Sequence, residues 1–321
     1  MYTDYIPAFE KMYRDRGVEV QFAPRCLKSC QGIPADVLVL DDMTNSGCRM
    51  ANRRAGLDLK HTELALDLLA KFHAASAVYV DHGHTLTDEF IGPKPIEGFR
   101  KMGKDFLQPM LDGLMQYMAH WDLEPDYYDD LKELTTTVID DLADMVTPRE
   151  NQFNVLIHGD LWTNNMVFKY EANSSVPLTS TLLDFQICCW TSPLVDLHSF
   201  LFSSVSSDLM LTKLNYFLRY YQERLAESLV LLGYTKRLPT LQQLHADFTN
   251  HLLFGLLSAM MMLPFVLVPE TADASLDTIV DTSTDAGQRF QKQMLDNDQL
   301  RTHLKMLIPY FRVRGIPRPT K

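Results

Sequence analysis

Cysteine is scarce and odd in number, five in 321 residues. Cys26 and Cys30 stand four apart, Cys188 and Cys189 are adjacent, and neither pair belongs to a CxxC…CxxC set. That excludes a disulfide framework and a structural zinc site, and the thiols read as reduced in a cytoplasmic protein. Positive charge is also short: 30 Lys and Arg face 41 Asp and Glu, for a net charge of −11. Nucleic-acid binders gain affinity by displacing counterions with Lys and Arg, so nucleic acid is excluded as the main partner, and an anionic membrane surface with it. The opening residues, MYTDYIPAFEKMYRDRG, lack the apolar stretch of a signal peptide. No G-x-S-x-G occurs, which leaves an α/β-hydrolase without its nucleophile. The single long apolar run, residues 252–268, contains Pro264 and falls short of the roughly 20 residues a membrane span needs. It reads as a helix buried in a helical core.

What is present suits a large folded chain. Apolar residues make up 46% and charged residues 22%, enough to bury a sizeable core. Tyr2, Tyr5, Ile6, Phe9 and Met12 recur at helical spacing, and Gly17 can end that helix. Residues 18–23 and 36–40 read as strands, the second (DVLVL) a short apolar run suited to a buried position. A strong helix follows at 59–80, then a Gly- and Pro-rich connector over 81–101. Helices fit 103–120 and 127–146. Between 153 and 187 the pattern changes to short strands separated by loops, and helices return near 195–206, 208–232, 239–263 and 287–307. Residues 270–286 read as a polar, acidic loop.

The chemistry is concentrated in His158-Gly-Asp160-Leu-Trp162-Thr-Asn164-Asn165 and Leu182-Leu183-Asp184-Phe185. Asp160 closes a strand and can orient an attacking hydroxyl or take its proton. Asn165, five residues on, is placed by the loop to offer an amide oxygen to a divalent cation, while Asp184 ends a second strand with a hard carboxylate oxygen, the donor Mg²⁺ prefers. A D-x4-N followed about twenty residues later by an apolar run and Asp is the kinase arrangement, and phosphoryl transfer needs little more at the reacting centre. His73, in the helical stretch FHAAS, reads as a hydrogen-bonded, partly buried residue and not as a base. Trp162 suits an acceptor pocket or packing equally.

With these residues HGDLWTNN and LLDFQ, the chain resembles the aminoglycoside and choline phosphotransferase branch of the protein-kinase-like fold, and within it the ecdysteroid-kinase-like family. VLVLDDM at 37–43 is similar to that family's hinge, LAKFHAAS at 69–76 to its first large-lobe helix, and SPLVDLHSF at 192–200 to the helix after the metal-binding loop. The resemblance implies an α+β, two-lobe fold. Residues 1–43 would be a remnant of the small lobe and the hinge, 44–310 the large helical lobe, and 311–321 a basic tail. It also implies a small-molecule kinase using ATP and Mg²⁺ on a hydroxyl of a lipophilic, ecdysteroid-like alcohol. Asp160 would be the catalytic base and Asn165 and Asp184 the metal ligands, with spacing favouring Asn165 over Asn164. The backbone of Asp41, Asp42 and Met43 would receive the adenine edge, and His158 and Asp196 would brace the loop. In this fold a glycine-rich strand-turn and a strand lysine cover the phosphates, and neither stands ahead of the first helix here. The expectation is a truncated active enzyme, favoured by the intact Asp160, Asn165 and Asp184. The alternative is a catalytically impaired, pseudokinase-like binder of a nucleotide or lipophilic ligand.

Overall fold

The computed structural model describes residues 1–30, 32, 36–270 and 284–317. Helix α1 (Tyr5–Arg14) turns Tyr5, Ile6, Phe9 and Tyr13 inward. The chain then runs extended to a hairpin of β1 (Cys26–Cys30) and β2 (Val37–Leu40), paired antiparallel. A second sheet joins β3 (Cys48–Arg49), β5 (Met166–Tyr170) and β6 (Pro177–Leu182) in the order β3-β5-β6. A short ladder pairs β4 (Val155–Ile157) with β7 (Cys189–Thr191).

Most of the chain is helical. Helix α2 (Leu59–Asp81) begins where the Asp58 side chain accepts the backbone N–H of His61, satisfying a donor the helix leaves free. It packs along α7 (Ser207–Leu232), and α6 (Leu194–Ser203) packs on α9 (Leu252–Leu267). Around them lie α3 (Pro93–Met102), α4 (Gln108–Met118), α5 (Pro125–Val146), α8 (Leu241–Asn250), α10 (Asp285–Leu295) and α11 (Asp298–Arg312). The architecture is α+β: a small sheet-bearing amino-terminal part and a large helical remainder.

Several elements differ from the sequence expectation, each for a visible reason. The VLVL strand is not buried: Val37, Leu38 and Val39 are 52%, 48% and 43% exposed. Among the described residues its sheet has only two strands, and no second layer covers either face. Residues 18–23 do not form a ladder. The Phe22 N–H donates to the Glu10 carboxylate, and its carbonyl accepts one bond from Leu182 N. The connector over 81–101 contains α3, which starts with a proline in its first turn, where a missing N–H costs nothing. The expected helix 103–120 opens with a π turn at Gly103–Leu107 before α4.

The expected helix 239–263 is two helices, α8 and α9, bent by 61°. The break is at His251, whose ring and N–H both bond the Asp247 carbonyl. The expected helix 287–307 divides at Asn297, whose Oδ1 accepts from Gln299 and Leu300 N–H and so caps α11. That last helix runs to Arg312 and buries Phe311, so the basic tail begins inside it. Most of the expected loop over 270–286 lies outside the described residues. The apolar run at 252–268 is core: Leu252, Leu256, Leu257 and Met260 of α9 are all buried. Among the described residues no single helix is long and apolar enough to cross a membrane.

Candidate active site

Strand β4 is three buried residues, Val155, Leu156 and Ile157, and its paired partner β7 lies just beyond the second motif. The catalytic-type loop therefore starts from a fixed point. Gly159 follows at φ +85°, and a Cβ there would sit 2.3 Å from the Ile187 carbonyl oxygen. Only glycine lets the loop and the 186–190 segment approach this closely.

The loop is held from beneath by a buried carboxylate. Asp196, on the first turn of α6, accepts the backbone N–H of His158 (2.7 Å) and of Gly159 (2.9 Å). His73 Nε2 donates to the same carboxylate at 3.1 Å, and its Nδ1 lies 2.7 Å from the Tyr221 hydroxyl. Burial alone would raise the Asp196 pKa. The hydrogen bond and charge of His73, helped by His158 and the Gly159 amide, outweigh burial and hold it below the ordinary aspartate value. His73 is wholly buried, not partly, and is the brace that sequence reading missed. Its only signal was a polar ring on the inward stripe of α2.

His158 is itself fully buried, and desolvation pushes its pKa down, so the ring is neutral. Nε2–H donates to the Leu183 carbonyl at 2.8 Å, while Nδ1 accepts the Asp160 N–H at 3.3 Å. One imidazole thus ties the loop to the end of β6. Leu183 N–H donates in turn to the Asn165 carbonyl at 2.8 Å.

Asp160 and Asn165 touch. Asn165 Nδ2 donates to the Asp160 carbonyl (2.9 Å) and to its Oδ2 (2.8 Å), and Gln186 Nε2 lies 3.4 Å from that same Oδ2. Burial raises the Asp160 pKa and the nearby Asp184 charge adds to the rise, while His158, Asn165 and Gln186 oppose it. Its other oxygen, Oδ1, accepts no hydrogen bond from the described residues. Asn164 makes no comparable contact, and Trp162 packs against the core.

Asp184 stands on the left-handed side of the backbone map at φ +61°, an uncommon state for a non-glycine residue that is often tied to function. Two anchors hold it there. Its N–H donates to the Tyr2 hydroxyl at 3.0 Å. Phe185, next in sequence, is buried among Tyr2, Phe72 and His158 at ring separations of 5.6, 5.5 and 4.7 Å. The Asp184 carboxylate is exposed and has no hydrogen-bond partner among the described residues, and neither has Asn165 Oδ1. Two unengaged hard oxygens near the Asp160 carboxylate are donors of the kind Mg²⁺ takes. Among the described residues no cluster of three His, Cys, Asp or Glu side chains forms a complete metal cage. An ion held by Asn165 and Asp184 would take its other ligands from phosphate oxygens and water.

Asp41, Asp42 and Met43 line a polar cavity of about 520 Å³ with Gln21, Lys169 and Thr181. It lies over the β5–β6 face that carries Lys169, Thr179 and Thr181; β6 ends at Leu182, and the chain runs on through Leu183 to Asp184. The two carboxylates are engaged by the chain itself. Asp42 Oδ1 accepts the Thr44 N–H (2.9 Å) and hydroxyl (2.6 Å), and Asp41 pairs with Arg25 at 3.1 Å.

A model of the ecdysteroid kinase-like family matches residues 1–234. The chain belongs to the ecdysteroid kinase-like family. That family is described as kinase-like. Solved structures similar to this family member include a choline/ethanolamine kinase family protein from Mesorhizobium loti, at 15% identity over 94% of this chain and 83% of that one, TM-score 0.38. Ethanolamine kinase from Plasmodium vivax gives 11%, 98%, 75% and 0.44 in the same order. Choline kinase from Cryptosporidium parvum gives 12%, 95%, 78% and 0.45. Likenesses this distant add nothing to the family assignment. No curated protein matches the chain.

Proposed function

We propose that this ecdysteroid kinase-like protein transfers the terminal phosphoryl group of ATP to a hydroxyl of a lipophilic alcohol. The observation that carries the reading is the Asp160–Asn165 contact, with Asp184 one residue from the strand end bonded to Asn165. Asp160 is the base: its open Oδ1 accepts the hydrogen bond of the acceptor hydroxyl, and its raised pKa strengthens it for that task. The acceptor oxygen attacks the terminal phosphorus in line, the bond to the bridging oxygen breaks, ADP departs, and the hydroxyl proton passes to Asp160. Asn165 and Asp184 would hold Mg²⁺, which neutralises charge on the phosphate oxygens. The backbone of Asp41 to Met43 receives the adenine edge, while His158 and Asp196 position the loop. Residues 1–43 serve as the small-lobe and hinge part and 44–310 as the large lobe. The five free thiols suit a reducing compartment, so we place the activity in the cytoplasm.

The test is ATP-dependent phosphorylation of a panel of neutral alcohols by the full chain and by Asp160→Asn. The substitution is expected to lower kcat by about 10²- to 10⁴-fold with ATP binding retained. In the unsubstituted chain, kcat/KM should fall as pH drops through a midpoint above the ordinary aspartate value of 3.8. Equal turnover by both proteins would remove Asp160 from the chemistry. Calorimetric binding of ATP·Mg²⁺ without transfer to any alcohol would select the pseudokinase-like alternative.

A further inference from the structure

The two side chains proposed to grip the ion are held by different parts of the molecule. Asn165 is fixed from within the loop, its carbonyl bonded to Leu183 N–H and its Nδ2 to Asp160. Asp184 lies past the end of β6 and is fixed from the amino-terminal end of the chain. Its N–H donates to the Tyr2 hydroxyl at 3.0 Å, across 182 positions of sequence. An aspartate at φ +61° is strained, and such a conformation persists only where its surroundings over-determine it. Two fixed points do so here. The N–H is pinned by the phenol, and the next residue, Phe185, is pinned by rings. With both ends held, rotation about φ and ψ is confined, and the carboxylate between them has a narrow arc.

Tyr2 is itself well placed to act as a fixed point. It stands in the turn ahead of α1, where Ile6 N–H donates to the Met1 carbonyl at 3.2 Å. Helix α1 is clamped on α2: the Tyr13 hydroxyl donates to the Lys71 carbonyl at 2.9 Å, and Phe9 meets Phe72 at a ring separation of 5.8 Å. Phe72 packs on Phe185 at 5.5 Å, and Tyr2 meets the same ring edge-on at 5.6 Å. Phe185 is thus approached from α2 and from the start of α1 together, and the Tyr2 oxygen lands on the amide just before it. Packing alone would be served by phenylalanine. The hydroxyl is what gives the Asp184 N–H its acceptor.

We propose that Tyr2 is a positioning residue for the divalent cation: by accepting the Asp184 N–H it holds the carboxylate of Asp184 in the presented conformation, and so sets the affinity of the chain for metal-bound nucleotide. Apparent affinity scales with the fraction of molecules already in the binding-competent form. Without the acceptor the strained form loses population, and ion binding must restore it. The cost falls on the ion and not on the adenine edge at Asp41 to Met43. The proposal rests on Asp184 as an ion ligand in the phosphotransfer reading, and for that reason ion binding is measured apart from transfer.

The test uses the full chain with Mn²⁺ in place of Mg²⁺. Bound Mn²⁺ is counted by electron paramagnetic resonance in the presence of ATP, and ATP binding is followed by calorimetry with Mn²⁺ and with EDTA. Tyr2→Phe keeps the ring against Phe185 and should weaken Mn²⁺ binding about 10-fold, with ATP binding in EDTA unchanged. Tyr5→Phe is the control, because its hydroxyl serves the same helix elsewhere, accepting Thr87 N–H at 3.0 Å. It should leave Mn²⁺ binding as it was. In an Asp184→Ala background, where Asn165 alone remains, Tyr2→Phe should add no further loss. Unchanged Mn²⁺ affinity in Tyr2→Phe overturns the proposal. Equal weakening by Tyr5→Phe also overturns it, since the loss would then come from a loosened α1, as does a further loss in the Asp184→Ala background. A 10-fold effect on Mn²⁺ in a chain that transfers phosphate to no alcohol defeats the phosphotransfer reading and leaves the role of Tyr2 standing.

Discussion

The loop from His158 to Asn165 and the hairpin from Cys26 to Leu40 are both short connections near the proposed nucleotide path, yet they are built in opposite ways. In the loop, the Asp196 carboxylate alone takes two backbone amides and an imidazole, and the His158 ring uses both nitrogens. Neither the His158 ring nor the backbone at His158 and Gly159 can rotate without breaking one of these bonds. The hairpin exposes its apolar side chains on both faces and has one register irregularity between Cys26 and Lys28. The contrast teaches that the loop carrying Asp160 and Asn165 is fixed before any ligand arrives, while the edge assigned to adenine rides on a lightly supported ribbon. Reactivity and nucleotide affinity should therefore respond to different substitutions.

The sharpest way to break that contrast is to remove the brace. Asp196→Asn replaces an acceptor with an amide whose NH₂ must face a backbone N–H, leaving buried donors unmet. We expect a loss of about 3–5 kcal/mol in unfolding free energy, read by denaturant titration. The pH dependence has a definite sign. Because the folded-state pKa of Asp196 is depressed, its stabilisation is complete above the ordinary value of 3.8 and is lost as pH falls through the lower folded value. The melting temperature of the unsubstituted chain should drop in that acid window, and the Asn variant should flatten the drop.

A smaller effect, about 1–3 kcal/mol, is expected for Gly159→Ala, which combines an unfavourable φ with a Cβ against the Ile187 carbonyl. The 186–190 segment must move, so KM for the acceptor should rise along with the stability loss. An unchanged KM would show that the loop and the 186–190 segment are not coupled. Smallest of all, Val39→Ser on the hairpin should change stability by less than about 0.5 kcal/mol and leave kcat alone. A large stability loss there would erase the distinction between the two regions.

The sequence made the loop legible because a strand, a polar D-x4-N turn and a second strand leave a pattern that does not depend on distant packing. The family assignment and the α+β architecture followed from the same residues. Burial was not legible in the same way. VLVL reads as core by composition, and only the count of neighbouring strands reveals that nothing covers it. The bend between α8 and α9 was hidden because apolar periodicity runs straight through His251. Helix α3 was masked by the prolines and glycines that mark loops elsewhere. His73 and Gln186 lie inside recognisable stretches, but their roles are set by distant contacts: one reaches a carboxylate 123 positions away, and the other lies 3.4 Å from Asp160 Oδ2.

Tyr2 donates little to the core, but its hydroxyl receives the Asp184 amide, and its ring leans on Phe185. Handling of the first residues is therefore not neutral. An affinity tag fused ahead of Met1, or trimming of the first few positions, acts on the backbone of the residue proposed to grip the ion. Purification strategy and apparent activity are linked through a single phenol.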